Sequence, residues 1–299
     1  MRKEAVDVVI IGCGPAGAAA AVQLHRGGIN TVVFEREEVG GLLRNANLVE
    51  NYPGFPGGIR GIELVRLIER QLELVGVAVR FEEVISLEHD GGLFVTETAA
   101  GMTKSKYAVV ASGTMPKKLE DVEIEEGAKE YLFSEVYPIH DASDKRIVII
   151  GAGDAAFDYA LNLSQNNDVL ILNRSDRTRC LPLLIERCAG VDSIGYLENH
   201  IVRGVAKLVK GGSGLVISAV DNISGKETQF RADLIIAAVG REPNTGFLGS
   251  GLLKKIDSLK KDGGLFMIGD VINSSFRQTA ISAGDGVRVA MEIYGNINR

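Results

Sequence analysis

Gly12, Gly14 and Gly17 stand in G-x-G-x-x-G spacing, and Glu35 follows 23 positions after the first of them. Glycines so placed allow a tight turn, let a pyrophosphate approach the main chain, and permit close packing of a helix on a sheet. A helix starting at such a turn presents free N–H groups and the positive end of its dipole to phosphate. A carboxylate at the end of the following strand accepts hydrogen bonds from ribose hydroxyls. Together these residue types and spacings carry the chemistry of dinucleotide binding.

The elements that must position them are legible on either side. Val8-Val9-Ile10-Ile11 is an apolar, β-branched run of buried-strand length. An Ala-rich stretch to about Gly27 reads as a helix, and Thr31 to Phe34 as a second strand. The same pattern returns 139 residues later. Ile147 to Ile150 is a strand, Gly151-Ala152-Gly153-Asp154-Ala155-Ala156 the turn, a helix runs to about Ser164, and Val169 to Leu172 forms the next strand. Ala156 is small enough to stand for the third glycine. The second unit ends differently, in Asn173-Arg174 with Arg177 and Arg179 close behind. Two dinucleotide sites in one chain imply that one cofactor passes electrons to another.

Between and after these units the pattern stays α/β. Pro53 and Pro56 force an extended loop after Asn51. Gly61 to Gly76 has the apolar spacing of an amphipathic helix. Short strands are expected near Ala78 to Phe81, Val84 to His89 and Leu93 to Thr98, the last two joined by an Asp90-Gly91-Gly92 turn. Tyr107 to Ala111 and Gly264 to Ile268 read as further strands, and an Ala/Gly/Val-rich helix runs from about Gln278 to about Tyr294.

A chain of 299 residues has room for two domains, and 45% apolar with 24% charged residues is a globular composition. A net charge of -6 without Lys/Arg blocks gives no electrostatic reason to expect nucleic acid. The N-terminus runs directly into a strand, so no secretory leader is expected, and Val8 to Val22 is too short and too broken to span a membrane. A cytoplasmic location is expected. Cys13, Cys180 and Cys188 contain no C-x-x-C, which argues against a disulfide framework or zinc site, and the four histidines show no ligand spacing.

Five motifs (GCGPAG, VENYPGFPGG, GAGDAA, GREPNT and IGDV…RQTAISAGDG) resemble, in order and spacing and over essentially the whole chain, the low-molecular-weight thioredoxin reductase family of FAD/NAD(P)H flavoproteins. The resemblance implies two Rossmann-like, three-layer α/β domains, with an NAD(P)H domain inserted into a split FAD domain. The boundaries would be 1–114 and 242–299 for FAD and 115–241 for NAD(P)H. For FAD it implicates Gly12, Gly14, Pro15 and Ala16 at the pyrophosphate and Glu35 at the adenosine ribose. Gly41 and Leu42 would lie along the phosphates and flavin, where the family usually has glutamine in place of Leu42. Asn51 would meet the isoalloxazine edge and Val84 the adenine. Gly113, Asp270, Gln278, Thr279 and Ala280 complete that set. For the second nucleotide it implicates Gly153, Asp154, Ala155, Asn173, Arg174 and Arg179. An acid at the strand end would select NADH. Arginines there suit a 2′-phosphate, so NADPH is favoured over NADH.

One departure bears on function. The family's catalytic C-x-x-C falls at Ser134-Glu135-Val136-Tyr137, with Ser134 and Tyr137 in the cysteine positions. Serine and tyrosine cannot carry two electrons as a disulfide. The expected reaction is therefore hydride transfer from NAD(P)H to FAD, then direct passage of electrons to an external acceptor such as ferredoxin, flavodoxin, a quinone or another small molecule. The alternative is a non-catalytic redox sensor or subunit. Tyr137 is read as packing or as a ring against the flavin, and His140 with Asp141 as loop residues or a proton donor. The resemblance further implies a homodimer.

Overall fold

The structure, a computed structural model, describes residues 2–208 and 214–298. It comprises two compact units: unit 1 is Met1–Arg44, Val49–Met115 and Glu242–Arg299, and unit 2 is Asn45–Leu48 and Pro116–Arg241.

Among the described residues, unit 1 is built on a seven-stranded sheet. Its strands β1 (Arg2–Ile11), β2 (Thr31–Glu35), β3 (Val79–Phe81), β4 (Val84–Asp90), β5 (Leu93–Thr98) and β6 (Gly101–Val110) take the order β3-β2-β1-β6-β5-β4, and the late strand Leu265–Met267 also pairs with β6. The pairings among β3, β2, β1, β6 and the late strand are parallel, and those of β4, β5 and β6 are antiparallel. Parallel strands buried on both faces must be apolar throughout, and β1 serves two cores by alternation. Val8 and Ile10 pack with helix α1 (Pro15–Arg26) and the last helix, Thr279–Ile297, through Val289, Ala290 and Ile293. Val9 and Ile11 pack with Leu87, Phe94, Leu248 and Leu252. The Ala-rich composition of α1 has a steric cause. A Cβ on Gly286 of the last helix would fall 2.2 Å from the Ala16 carbonyl oxygen, so the two helices meet backbone to backbone.

The amphipathic helix α2 spans Gly61–Val75 and ends on Gly76 at φ 85, the left-handed geometry that favours glycine. β6 is longer than its apolar run predicts. Its N-terminal half buries Thr103 and Ser105 while Lys104 and Lys106 face outwards, so polar inward residues mask the alternation.

Among the described residues of unit 2, a five-stranded parallel sheet has the order Ile194–Leu197, Asp168–Leu172, Arg146–Ile150, Leu234–Ala237, Leu132–Phe133. Alternation again divides the core. Ile147 and Ile149 pack against the helix Asp154–Leu163 through Phe157 and Ala160. Val148 and Ile150 pack against Val205, Leu215 and Ile217 of the antiparallel strand pair His200–Lys207 and Leu215–Asp221. A short helix, Pro182–Ala189, follows the arginine-bearing segment and has no strong sequence signal beyond proline in its first turn.

Candidate functional sites

In unit 1 the glycine turn forms where β1 ends. Gly12 adopts φ 98, and a Cβ there would lie 2.4 Å from the Ala111 carbonyl oxygen. A Cβ on Gly17 would lie 1.9 Å from the Gly12 oxygen. The protein's own packing demands these two glycines. Gly14 differs: it caps α1 at its N-terminus, and a Cβ there would meet nothing within 4 Å. Fold packing gives no reason for glycine at this position, whereas close approach of a pyrophosphate does. Pro15 opens the helix and Ala16 is buried. Gly41, at φ 53, begins the 3-10 turn Gly41–Asn45 that contains Leu42, and it faces the Gly14 Cα, so two backbone segments flank one cradle.

Glu35, at the end of β2, is largely buried and points back to the turn, where its Oε2 accepts the Cys13 N–H at 2.8 Å and its Oε1 that of Glu37 at 3.1 Å. A charge-assisted bond of this kind fixes the carboxylate beside the helix N-terminus and leaves further lone pairs for ribose hydroxyls. Phe81 is in register with Glu35, so Val84, which opens β4, lies just beyond that strand end.

The remaining expected FAD contacts gather at the same edge of the sheet. The ends of β1, β6 and Leu265–Met267 are adjacent, with Ile11 in register with Val110 and Val110 with Met267. Gly113 follows β6 at φ 61, and its carbonyl accepts the Asn244 N–H at 3.0 Å. Asp270 lies in the turn Gly269–Val271, where its Oδ1 accepts the Ser282 hydroxyl at 3.1 Å. Gln278 caps the last helix, Thr279 and Ala280 form its first turn, and Asn51 Nδ2 donates to Gln278 Oε1 at 2.7 Å. Sequence reasoning missed two supports. Ser282 holds Asp270, and Asp285 accepts the Gly269 N–H at 3.2 Å and the Asn273 side-chain amide at 2.8 Å. Their only sequence signal is small or acidic residues on the inner side of the last helix.

Unit 2 repeats the cradle. Gly151 is at φ 120, and a Cβ there would lie 2.3 Å from the Ala238 oxygen, while a Cβ on Gly153 would meet nothing within 4 Å. Asp154 starts the helix and Ala155 is exposed beside it. Asp154 Oδ1 accepts the Leu181 N–H at 2.8 Å, Thr178 Oγ1 donates to the Ala152 oxygen at 2.6 Å, and Arg179 bridges Gly153. The arginine-bearing segment is thereby tied to the glycine turn. Thr178 was hidden in the sequence between two arginines. Arg174 and Arg179 are exposed, whereas Asn173 is buried.

At the expected dithiol position, Ser134 follows the strand Leu132–Phe133 and Val136 is buried. Glu135 pairs with Arg241 at 3.1 Å and accepts the Asn45 side-chain amide at 3.2 Å. The Tyr137 N–H donates to Asn45 Oδ1 at 2.9 Å, and its ring stacks on His140 at 5.2 Å between centroids. His140 Nε2 stands 3.3 Å from Asp141.

The three cysteines are free thiols. Burial, reinforced by the Glu35 and Glu69 charges, pushes the Cys13 thiol far above its usual range. Burial and then Asp154 push Cys180 up to about 12, and burial with Asp158 pushes Cys188 up to about 11. Each shift disfavours the thiolate, the nucleophile in thiol chemistry.

Both cradles therefore fit a dinucleotide. The pyridine nucleotide-disulphide oxidoreductase profile matches residues 6–286. The bifunctional thioredoxin reductase/thioredoxin of Mycobacterium leprae is 31% identical over 96% of this chain, which spans 64% of that longer protein. The thioredoxin reductase of Bacillus subtilis is 28% identical over 98% of this chain and 95% of its own length. The crystal structure of Lactococcus lactis thioredoxin reductase superposes with a TM-score of 0.85 at 27% identity, covering 98% of this chain and 99% of that one. The chain belongs to the pyridine nucleotide-disulphide oxidoreductase family, as a thioredoxin reductase-like oxidoreductase of a group that uses FAD and NADPH.

Proposed function

We propose that the protein transfers hydride from NAD(P)H to FAD and then passes electrons directly to an external acceptor, without an internal dithiol. The observation that carries this reading is that the chain contains no C-x-x-C, elsewhere or at the expected dithiol position. Ser134 and Tyr137 stand there, and Glu135 and the Tyr137 main chain are tied into a hydrogen-bonded network with Asn45 and Arg241. The other thiols, Cys13, Cys180 and Cys188, form no C-x-x-C, and burial raises each above its usual range, which disfavours the thiolate that a relay needs.

FAD, when bound, supplies the hydride-accepting and electron-donating chemistry. The residues of unit 1 would hold it: Gly12, Gly14, Pro15, Ala16 and Gly41 at the pyrophosphate, Glu35 and Val84 at the adenosine, and Asp270 at the sugar or phosphate side. Asn51, Gly113, Gln278, Thr279 and Ala280 would lie nearer the ring. The N-terminus of the last helix there favours negative charge, which assists acceptance of hydride. In unit 2, Gly153, Asp154 and Ala155 would meet the nucleotide pyrophosphate, and Arg174 and Arg179 a 2′-phosphate. The external acceptor would be a one-electron carrier such as ferredoxin or flavodoxin, or a quinone or other small molecule.

Anaerobic titration of the yellow protein with NADPH and then NADH tests this. Bleaching of the flavin band, faster with NADPH, is the expected result, followed by reoxidation on adding an acceptor. A flavin reduced by dithionite but by neither nucleotide would sink the reading and leave a sensor or subunit. Among the described residues no helix is long and apolar enough to cross a membrane. The proposed homodimer is supported by the outward apolar side chains Ile281, Val287, Met291 and Tyr294 on the last helix, 40% to 60% exposed, and sizing chromatography tests it.

A further inference from the structure

Residues Asn45–Leu48 belong to unit 2, whereas the chain up to Arg44 and again from Val49 belongs to unit 1. The chain enters unit 2 and leaves it within four residues here, in addition to its long passage from Pro116 to Arg241. Both feet of this strap are anchored in unit 1. Upstream, the largely buried Arg44 side chain folds back on its own turn. Its Nε donates to the Gly41 carbonyl at 3.0 Å, Nη1 to the Glu38 carboxylate at 3.1 Å and Nη2 to the Glu38 carbonyl at 3.3 Å. Downstream, Val49 and Ile59 exchange main-chain hydrogen bonds at 2.8 and 3.1 Å.

Between its feet the strap is held by unit 2. Asn45 is 2% exposed. Its Nδ2 donates to Glu135 Oε2 at 3.2 Å, and its Oδ1 accepts the Tyr137 N–H at 2.9 Å. The second Glu135 oxygen pairs with Arg241 at 3.1 Å, and the Asn47 N–H donates to Asp158 Oδ2 at 2.9 Å. A neutral carboxamide offers a donor and an acceptor together, so one side chain serves both a carboxylate and a main-chain N–H. Aspartate at position 45 would set a second negative charge against Glu135. Leucine would satisfy neither partner, at a position where burial makes an unmet hydrogen bond costly.

The turn that ends in Asn45 begins at the cofactor cradle of unit 1. It spans Gly41–Asn45, and Gly41 faces the Gly14 Cα. Five residues therefore lead from the cradle to a side chain that grips Glu135 and Tyr137, at the expected dithiol position. A ligand that orders the start of so short a turn also restricts its end, and the segment gripped there opens less often.

We propose that the strap Asn45–Leu48 couples occupancy of the unit 1 cradle to order in Ser134–Tyr137, and that Asn45 is the positioning residue that transmits it. Order at the position left by the dithiol then depends on the flavin that supplies the electrons. The proposal rests on the reading of unit 1 as an FAD site. It requires neither NAD(P)H nor an acceptor, so it is read at equilibrium on the oxidised protein.

The test is hydrogen–deuterium exchange of the peptide Leu132–Tyr137 in apoprotein and in FAD-loaded protein, with loading checked by flavin absorbance. In the wild type, FAD should slow exchange there about tenfold and leave the unit 2 strand His200–Lys207 unaffected. Asn45→Ala should speed exchange in Leu132–Tyr137 and abolish the difference between apoprotein and loaded protein. Arg44→Ala frees the upstream foot but leaves both Asn45 bonds in place. It should remove most of the difference, and it keeps the proposal testable if Asn45→Ala does not fold. Equal acceleration of both forms of Asn45→Ala, with the tenfold difference kept, would make Asn45 merely structural and overturn the proposal. A loaded wild type whose Leu132–Tyr137 exchange matches the apoprotein would also overturn it. So would equal slowing of His200–Lys207, which is general stabilisation. A protein that takes up no FAD would remove the reading of unit 1 and this proposal with it.

Discussion

Asn51 and Gln278 are 227 positions apart in the chain, yet Asn51 Nδ2 donates to Gln278 Oε1 at 2.7 Å. The bond ties the proline-stiffened loop after β2 to the N-terminal cap of the last helix, both in unit 1. Two residues expected to line the ring of one cofactor therefore also orient each other. Asn51→Ala should weaken FAD retention by about fivefold, the value of one hydrogen bond near 1 kcal/mol. The flavin-to-protein absorbance ratio after dialysis measures it, and full retention would separate this pair from the cofactor.

The glycines of unit 1 divide into those the fold needs and those a ligand needs. Gly17→Ala would drive a Cβ to 1.9 Å from the Gly12 oxygen, and should cost roughly 3 kcal/mol or more of stability. Gly14→Ala meets no protein atom within 4 Å, and should leave apoprotein stability within about 0.5 kcal/mol while weakening FAD at least about tenfold. Urea unfolding of apoprotein together with FAD titration distinguishes the two. Equal destabilisation by both changes would show that Gly14 serves packing.

Gly153→Ala carries the same logic to unit 2, where the Cβ again meets open space. NADPH should bind about tenfold more weakly with FAD content unchanged. A fall in FAD content would mean that the two glycine turns are not independent.

The thiols should be slow. With Cys188 raised to about 11, roughly one molecule in ten thousand carries the thiolate at neutral pH, and fewer do at Cys180, raised to about 12. Alkylation at these sites should rise about tenfold per pH unit between pH 7 and 10, since only the deprotonated form reacts. Replacing both by alanine should leave electron transfer to an added acceptor unchanged. Rapid labelling at pH 7, or loss of that activity, would reinstate a thiol relay.

Asp233 accepts three hydrogen bonds from Arg146, from its main-chain N–H, Nε and Nη2, and that side chain holds its carboxyl below the ordinary carboxylate range. A carboxyl with a depressed folded pKa contributes stability above its unfolded value, and the contribution is lost as pH falls through the folded one. Because Arg146 is partly exposed, the contribution should not exceed about 1 kcal/mol. Asp233→Asn should lower the melting temperature at pH 7, with the difference narrowing as pH falls below about 4, the unfolded carboxyl value, and gone once pH has passed the lower folded value.

Much of this protein was determined by local sequence. Apolar, β-branched runs such as Val8-Val9-Ile10-Ile11 and Ile147 to Ile150, each ended by a glycine turn, favour strands covered on both faces, and the small-residue helix that follows permits few other geometries. The missing C-x-x-C is likewise a fact of composition, and it constrains the chemistry before any coordinates exist. Tertiary structure decided the roles that depend on which groups have their hydrogen bonds already satisfied. Asn173 has the residue type of a ribose or phosphate ligand, and only the structure shows it buried with three internal hydrogen-bond partners. Thr178 reads as a residue between two arginines until its hydroxyl is seen donating to Ala152 of the glycine turn. Gly14 and Gly17 belong to one motif, yet only the packing around them separates the residue kept for a ligand from the one kept for the fold. Spacing along a chain carries local conformation, whereas hydrogen-bond saturation and free volume arise only when distant segments meet.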